Sequence, residues 1–186
     1  TDSEGYYMIW ERCCRNRTID NIIAPQSAGQ TFYLEFPPLQ VNGQRFINSS
    51  PRLFPPLSDY ACANQPFTFN FGGSDDDGDQ LVYRLSVPIQ GNSSPDPNFI
   101  VPPPLPAPYE RVTFAPGIGV GNMIPGSPPL TIDAQTGILN LSAAAPGLYV
   151  FAVTVEEYRR GRKIGEVRRE FQMLVLDCPV ADPPEL

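Results

Sequence analysis

Proline is spread so densely through this chain that few windows are long enough to complete an amphipathic helix. The sequence holds 23 prolines in 186 residues, and a proline inside a helix removes a backbone donor and clashes with the preceding turn. The interrupting prolines lie at positions 37, 38, 51, 55, 56, 66, 88, 95, 97, 102, 103, 104, 106 and 108. The chain between them alternates apolar and polar residues with period two, which is typical of half-buried strands.

This alternation recurs along the whole chain. It is found in YYMIW (6–10), TFYLEF (31–36), PFTFNF (66–71) and LVYRLSV (81–87). Two longer segments, 148–158 and 165–176, flank the polar tip RRGRK and predict a β-hairpin with Gly161 in the turn. The sequence therefore predicts an all-β sandwich with long proline-rich loops and an N-terminal β segment.

The segment from 88 to 130 carries many prolines and glycines and is too long for a plain connector. We expect an ordered proline-rich cover that lies on the sandwich through its apolar residues, with a mobile linker as the alternative. The apolar residues in question are Phe99, Ile100, Leu105 and Tyr109.

Charge and composition remove several classes of function. The net charge of −7 argues against nucleic acid or an anionic membrane as a partner, and the lack of an apolar run of 18 residues argues against membrane insertion. Histidine is absent, which excludes Ser-His-Asp and Cys-His nucleophiles and His-containing zinc sites. A carboxylate-pair hydrolase needs only two acids, but no pair here is marked out by its surroundings. We therefore expect no enzymatic activity.

The four cysteines, Cys13, Cys14, Cys62 and Cys178, predict disulfides. A four-thiolate zinc site usually takes two close pairs, and only one pair is close here. A vicinal disulfide would be strained, so the adjacent cysteines are expected to take different partners, which leaves two connectivities open. Each bridge would contribute about 4 kcal/mol in the chain-entropy model. Disulfides indicate an exported protein; the alternative is four buried thiols in the cytosol.

The stretch SDDDGDQLVYRLS, residues 74–86, packs four carboxylates into five positions: Asp75, Asp76, Asp77 and Asp79. At contact distance each like-charge pair costs roughly 1 kcal/mol in water and about 4 kcal/mol at an effective dielectric of 20. Either the loop is splayed into solvent or a positive group lies among these oxygens.

An ordered set of motifs spans residues 67–176. FTFNFGGSDDDGDQLVYRL is followed by LTIDAQTGILNL and then by APGLYVFAVTVEEYRRGRKIGEVRREFQMLVLDC. This order resembles the cadherin-like sandwich of bacterial and dystroglycan type. Upstream, YYMIWERCCRNRTIDNI and NSSPRLFPPLSDYACANQPFTFNF resemble extracellular gliding-motility-associated surface proteins of Bacteroidetes type. Where such relatives often carry a further cysteine pair, this chain has Ser86 and Thr154.

The resemblance implies a domain order and a location. An N-terminal β segment (1–57), part of a preceding sandwich or packed on the next, would lead to a cadherin-like sandwich (58–178) and a proline-rich linker (179–186) to a further module. The protein would be a non-enzymatic structural or adhesive module of an exported bacterial cell-surface protein. Its partners would be neighbouring modules or copies of itself.

The resemblance also implies a Ca²⁺ site, because cadherin modules bind this oxygen-seeking cation with aspartates. In this sequence the candidate ligands are Asp75, Asp77, Asp79, Asp133 and Glu156. The stretch after the last strand reads Asp177-Cys178-Pro179, which lacks the Asp-x-Asn-Asp-Asn of calcium-linked cadherins. The alternative for the loop is an Asx-rich turn whose aspartates cap their own backbone.

Two alternative functions remain. In the first, the chain would be the repeating subunit of an extracellular filament, in which an N-terminal strand such as YYMIW completes a neighbour's sheet. In the second, it would be a carbohydrate-binding module that uses Trp10 and Tyr109. A basic tip is a candidate for binding a surface polysaccharide, although such charges more often protect a sheet edge from pairing with another chain. Its residues are Arg159, Arg160, Arg162, Lys163, Arg168 and Arg169.

Overall fold

The computed structural model describes residues 4–53, 60–91 and 107–179, and its architecture confirms the all-β prediction. Two 3₁₀ turns, Pro25–Ser27 and Val120–Asn122, interrupt the strands. The strands are β1 (Tyr6–Arg12), β2 (Gln30–Phe36), β3 (Gln40–Val41), β4 (Gln44–Arg45), β5 (Arg52–Leu53), β6 (Ala61–Cys62), β7 (Phe67–Asn70), β8 (Gly73–Ser74), β9 (Gln80–Ser86), β10 (Ile89–Gln90), β11 (Glu110–Arg111), β12 (Thr131–Ile132), β13 (Ile138–Leu141), β14 (Gly147–Arg159) and β15 (Arg162–Leu176).

A six-stranded main sheet and a three-stranded sheet form the body of the fold. The main sheet has the order β1-β2-β15-β14-β9, with β6 added in parallel beside the end of β15. The three-stranded sheet has the order β12-β13-β7, and β3–β4, β5–β8 and β10–β11 form separate pairs. The N-terminal strands belong to the main sheet, because β2 pairs with β15 at residues 166–168.

The β14–β15 hairpin is the longest element, and its prediction is confirmed. Arg160 and Gly161 connect the strands with φ angles of 52° and 77°. Positive φ at both central residues is the signature of a type I′ turn, whose twist matches that of the strands. The register shifts between Glu157 and Tyr158, where β15 carries one extra residue, and such a bulge bends the strand locally.

One face of this hairpin carries the main core. Phe151, Val153 and Val155 alternate along β14 and lie opposite the inward side chains of β15. Phe71 lies edge-on to the Phe151 and Phe171 rings, with centroids 6.1 Å and 4.3 Å away. Each fully buried side chain of this size contributes roughly 1.5–3 kcal/mol, so the alternation itself holds the two sheets together.

The other face of the main sheet is covered by the chain between β1 and β2. Ile19 and Ile22 pack with Val150 of β14 in a second apolar cluster. Asn21, 1% exposed, donates to the Val150 carbonyl at 2.7 Å and accepts from the Val150 N–H at 2.9 Å. Arg15 forms a buried ion pair with Glu170 of β15, so the covering segment is attached by both apolar and polar contacts.

The predicted cysteine connectivity is wrong. The structure pairs Cys13 with Cys14, and Cys62 with Cys178. The prediction excluded a bond between the adjacent cysteines because of its strain. In the structure β1 ends at Arg12, so Cys13 and Cys14 lie beyond the extended strand, in which adjacent side chains would point to opposite faces. The second pair follows from the parallel pairing of β6 with the end of β15, which brings Cys62 beside Leu176.

Three residues of the predicted proline-rich cover lie outside the described residues: Phe99, Ile100 and Leu105. The predicted linker also lies outside them from residue 180 onward. Tyr109 lies within them and contacts Tyr33 edge-on, with ring centroids 6.4 Å apart. No helix in the described residues has the length and apolar character needed to cross a membrane.

Candidate functional site

The acidic loop between β8 and β9 is built as an Asx turn. The Asp75 carboxylate oxygen Oδ1 accepts the backbone N–H groups of Asp77 at 2.9 Å and of Asp79 at 3.0 Å. Gly78 has a φ of 78°, a left-handed conformation that glycine adopts without steric cost. The aspartates therefore organise their own loop, as the Asx-turn alternative predicts.

The loop also meets the end of β14. Asp75, Asp79 and Glu157 each offer a carboxylate oxygen, and these oxygens lie within 4.8 Å of one another. The sheet register produces this meeting, because Gln80 at the start of β9 pairs with Tyr158 of β14. We call these three residues the carboxylate cluster.

Arg159 supplies the positive charge beside the cluster. Its Nε donates to Asp79 Oδ1 at 2.7 Å and its Nη2 to Asp79 Oδ2 at 2.6 Å, a bidentate pair. The Asp79 side chain is 3% exposed and that of Arg159 is 26% exposed. The guanidinium also lies 4.9 Å from the centroid of the Phe46 ring. The positive group among the loop carboxylates is thus part of the same chain.

Residues 46–49 close the site from the side of the β3–β4 pair. Asn48 Nδ2 donates to Glu157 Oε1 at 2.6 Å, while its Oδ1 accepts from Arg159 Nη2 at 2.8 Å. The Ser49 N–H donates to Asp77 Oδ2 at 2.5 Å. The Asn48 side chain therefore connects Glu157 to Arg159.

Glu157 has a perturbed pKa. It is 2% exposed, and this burial, opposed by the hydrogen bond from Asn48 and reinforced by the charges of Asp75 and Asp79, raises its pKa to about 7. Near neutral pH its carboxyl group therefore exists in both protonation states, unlike an ordinary glutamate.

The other predicted calcium ligands are placed elsewhere. Asp133 caps its own turn by accepting hydrogen bonds from the N–H of Gln135 and from the N–H and hydroxyl group of Thr136, and these bonds lower its pKa. Glu156 lies on the opposite face of β14 from Glu157 and pairs with Arg84 at 2.8 Å. The structure therefore brings Asp75 and Asp79 together, keeps Asp77 at the rim, and leaves Asp133 and Glu156 out.

Sequence reasoning missed Glu157, Arg159 and Asn48 as site residues. A signal for Glu157 was present, because it continues the inward parity of Val153 and Val155 in β14. Arg159 was among six basic residues around the tip, and nothing in their spacing marks one of them as the partner of the acidic loop.

A metal ion is the ligand that the cluster chemistry fits. Carboxylate oxygens are hard donors of the kind that Ca²⁺ takes. Asp75 Oδ2 is buried without a hydrogen-bond partner among the described residues, so one oxygen of the cluster is unused. Against full coordination, both oxygens of Asp79 are engaged by Arg159.

The basic tip and the exposed aromatics make contacts within the chain. Lys163 and Arg168 both pair with Glu166, and Arg169 lies over the Phe171 ring at 5.3 Å. Arg160 and Arg162 are exposed. Trp10 is 59% exposed and stacked on Phe32, with ring centroids 5.2 Å apart, whereas Tyr109 is partly buried.

The structure brings Ser86 and Thr154 together, at the positions where the resemblance implies a cysteine pair. The Thr154 hydroxyl donates to Ser86 Oγ at 2.8 Å between β14 and β9. A comparison of the chain with protein-family models, with curated proteins and with solved structures finds no match in any of the three.

Proposed function

We propose that this chain is a non-enzymatic structural or adhesive module of an exported, multidomain cell-surface protein. The observation that carries the proposal is the direction of two strands in the main sheet. β1 and β15 are both antiparallel to β2 and therefore run parallel to each other. A chain that enters along β1 and leaves along β15 passes from one end of the sheet to the other.

The distance between these two ends suits a spacer. Tyr7 shares a cross-strand row with Glu35 and Glu166, and Leu176 lies about ten residues further along β15, or about 33 Å at roughly 3.3 Å per residue. Tension applied at Tyr6 and Leu176 would run along the strands, so many inter-strand hydrogen bonds would share the load.

The disulfides favour the extracellular location in this proposal. Such bonds persist in oxidising compartments, and Cys62–Cys178 ties β6 to the chain just after β15. The resemblance to gliding-associated surface proteins points the same way. Neighbouring modules or further copies of the chain are the partners that a spacer requires.

Single-molecule force spectroscopy tests the mechanical role. Handles attached through bio-orthogonal side chains at positions 6 and 176 load the sheet along its strands, whereas handles at positions 6 and 161 both pull at the hairpin-turn end and peel it. We expect a clearly higher unfolding force in the first geometry at equal loading rate. Equal forces in the two geometries would refute a load-bearing design.

We also propose that the carboxylate cluster binds Ca²⁺, as the resemblance implies. The favouring observation is the approach of three carboxylates with one buried, unpartnered oxygen. Asp75, Asp79 and Glu157 would hold the ion, and Arg159 would share or leave Asp79. Bound Ca²⁺ would supply the positive charge that offsets the mutual repulsion of these acids.

Thermal unfolding with Ca²⁺ and with a chelator tests the calcium proposal. We expect Ca²⁺ to raise the melting temperature of the wild type and to have no effect on Asp75→Asn, which keeps an oxygen to accept the loop N–H groups. Asp133→Asn is the matched control, because Asp133 lies outside the cluster, and it should respond like the wild type. Identical melting of the wild type in both buffers would exclude the site without touching the mechanical proposal.

A further inference from the structure

β1 is an end strand of the main sheet, and one of its edges pairs with no strand within residues 4–53, 60–91 and 107–179. In the described part of the chain only β2 pairs with it. The strand runs for seven residues and has neither a proline nor a bulge. Prolines and bulges are two features by which natural edge strands avoid pairing with other chains. The other end strand is covered, since the Tyr83 N–H of β9 donates to the Ala134 carbonyl at 2.9 Å.

The side chains of β1 are unusually exposed for their size and polarity. Tyr7, Met8 and Trp10 are 47%, 62% and 59% exposed. Met8 and Trp10 lie on the inner face of the sheet and Tyr7 on the outer face, because neighbouring strand residues alternate. An open backbone edge flanked by large exposed apolar side chains is a favourable surface for adding a strand.

We propose that β1 pairs with β1 of a second copy of this chain, antiparallel and centred on Ile9, and so joins two main sheets into one. The two copies are then related by a twofold axis perpendicular to the sheet, and residues of the inner face lie opposite residues of the inner face. In such a pair one residue lies directly opposite its own copy, and this residue is the centre of the register. Centring on Ile9 pairs all seven residues of Tyr6–Arg12, whereas centring on Met8 or Trp10 pairs only five of them. The register with the most complete backbone pairing is therefore the one at Ile9.

The side chains that this register brings together are complementary. On the inner face Met8 meets Trp10 of the second copy, a sulfur–aromatic contact, and Arg12 meets Tyr6, a cation–aromatic contact. Symmetry makes each of these contacts occur twice. On the outer face Tyr7 lies opposite Glu11, and no two like charges face each other directly, which would oppose pairing.

A contact made by one strand pair is small. Stable interfaces usually bury about 1,200–2,000 Å² in total, and seven residues from each copy reach the low end of this range at most. We therefore expect a dimer that forms at high concentration and dissociates on dilution, as is useful between neighbouring surface proteins at high local density. This inference does not depend on the mechanical role proposed above.

Disulfide trapping in the full chain, with its native disulfides intact, tests the pairing. Directly opposed residues of antiparallel strands have Cα atoms about 4.5–5.5 Å apart, which a disulfide can bridge. Ile9→Cys should give a covalent dimer on mild oxidation, with the bond mapped between the two substituted positions by mass spectrometry. Arg84→Cys, exposed on the covered edge strand β9, is the matched control and should remain monomeric.

The register has its own test. Met8→Cys and Trp10→Cys should each cross-link poorly alone and efficiently when the two variants are mixed, since these positions face each other across the axis. Efficient trapping of either variant alone would overturn the Ile9-centred register. Equal trapping at Arg84, or a wild type that sediments as a monomer at every concentration while Ile9→Cys stays folded and unlinked, would overturn the pairing itself.

Discussion

The turn end of the β14–β15 hairpin is held by polar contacts, whereas its open end is held by a covalent bond and apolar packing. At the turn end, Arg159 and Asn48 connect the acidic loop and residues 46–49 to β14. At the open end, Cys62–Cys178 joins β6 to the chain after β15, and Met173 and Val175 are almost fully buried. The two ends therefore respond to different chemical conditions.

This difference bears on how the fold can be destabilised. A disulfide responds to reductant, while an ion pair with a nearby buried glutamate responds to pH. Because both ends contact the same hairpin, a change at either end weakens one sheet rather than a separate domain. The predictions below perturb the ends separately, from the largest expected effect to the smallest.

Removal of the Cys62–Cys178 bond should have the largest effect. The two residues are 116 positions apart, and the chain-entropy model assigns about 4–5 kcal/mol to a loop of this length. We expect the Cys62→Ser/Cys178→Ser double variant to lose that much unfolding free energy in chemical denaturation.

The matched control is the other disulfide. Cys13 and Cys14 are adjacent, so their bond closes no long loop and constrains the unfolded chain little. The Cys13→Ser/Cys14→Ser variant should therefore lose far less stability. An equal loss in the two double variants would show that loop closure is not what secures the open end.

At the turn end, Arg159→Met should cost about 2–3 kcal/mol. The substitution leaves Asp79, which is 3% exposed, without its bidentate partner, and breaking a buried pair is usually worth about 3–5 kcal/mol. We place the loss below that range because Arg159 is 26% exposed and water can partly replace it. Chemical denaturation at neutral pH measures the change.

Arg162→Met is the control for Arg159→Met, since Arg162 is exposed at the same hairpin tip. We expect it to change the unfolding free energy by less than about 0.5 kcal/mol. If both variants lost the same stability, general tip charge rather than the Arg159–Asp79 pair would account for the effect.

The contrast between the ends also shows what a sequence can predict. Alternation and proline spacing were enough for the all-β class and for the hairpin with Gly161 in its turn, because both depend on local periodicity. The site depends on which face a residue occupies where strands meet. Glu156 and Glu157 differ by one position and therefore face opposite sides of the sheet. The prediction took Glu156, whereas the structure places Glu157 beside Asp75 and Asp79.

The contacts between residues of the site could not be predicted from the sequence for a related reason. Arg159 meets Asp79 only because Gln80 pairs with Tyr158, and pairing between distant strands is a tertiary property. The disulfide pairing has the same origin, since Cys62 meets Cys178 only through the parallel pairing of β6 with the end of β15. Local patterns thus predicted the elements, whereas long-range pairing determined the site.

Glu157 should give the turn end a distinct pH dependence. Its pKa is raised from the ordinary 4.5 to about 7 in the folded state, so folding favours the protonated form. The stabilisation is complete below about pH 4.5 and is lost as pH rises to about 7, a total of up to about 3 kcal/mol at 1.36 kcal/mol per pKa unit. Glu157→Gln, which mimics the protonated acid, should remove this fall and be more stable than the wild type above pH 7.

The neighbouring Glu156 provides a control of opposite sign. Burial opposes its ionisation, but hydrogen bonds from Arg84 and Tyr158 and the charge of Lys163 outweigh burial and lower its pKa. Its contribution is therefore present at neutral pH and is lost as pH falls through the lowered pKa. Glu156→Gln should be less stable than the wild type at pH 7; a gain in stability there would contradict the assignment of the two faces.

The smallest effect is expected for Arg52 and Asp76, the ion pair at the outer rim of the acidic loop. Their side chains are 74% and 46% exposed, and exposed pairs contribute about 0–1 kcal/mol because solvent and salt screen them. Arg52→Ala should change the unfolding free energy by less than about 0.5 kcal/mol, measured beside Arg159→Met under the same conditions. A loss as large as that of Arg159→Met would mean that total charge around the loop, and not the buried contact with Asp79, secures the turn end.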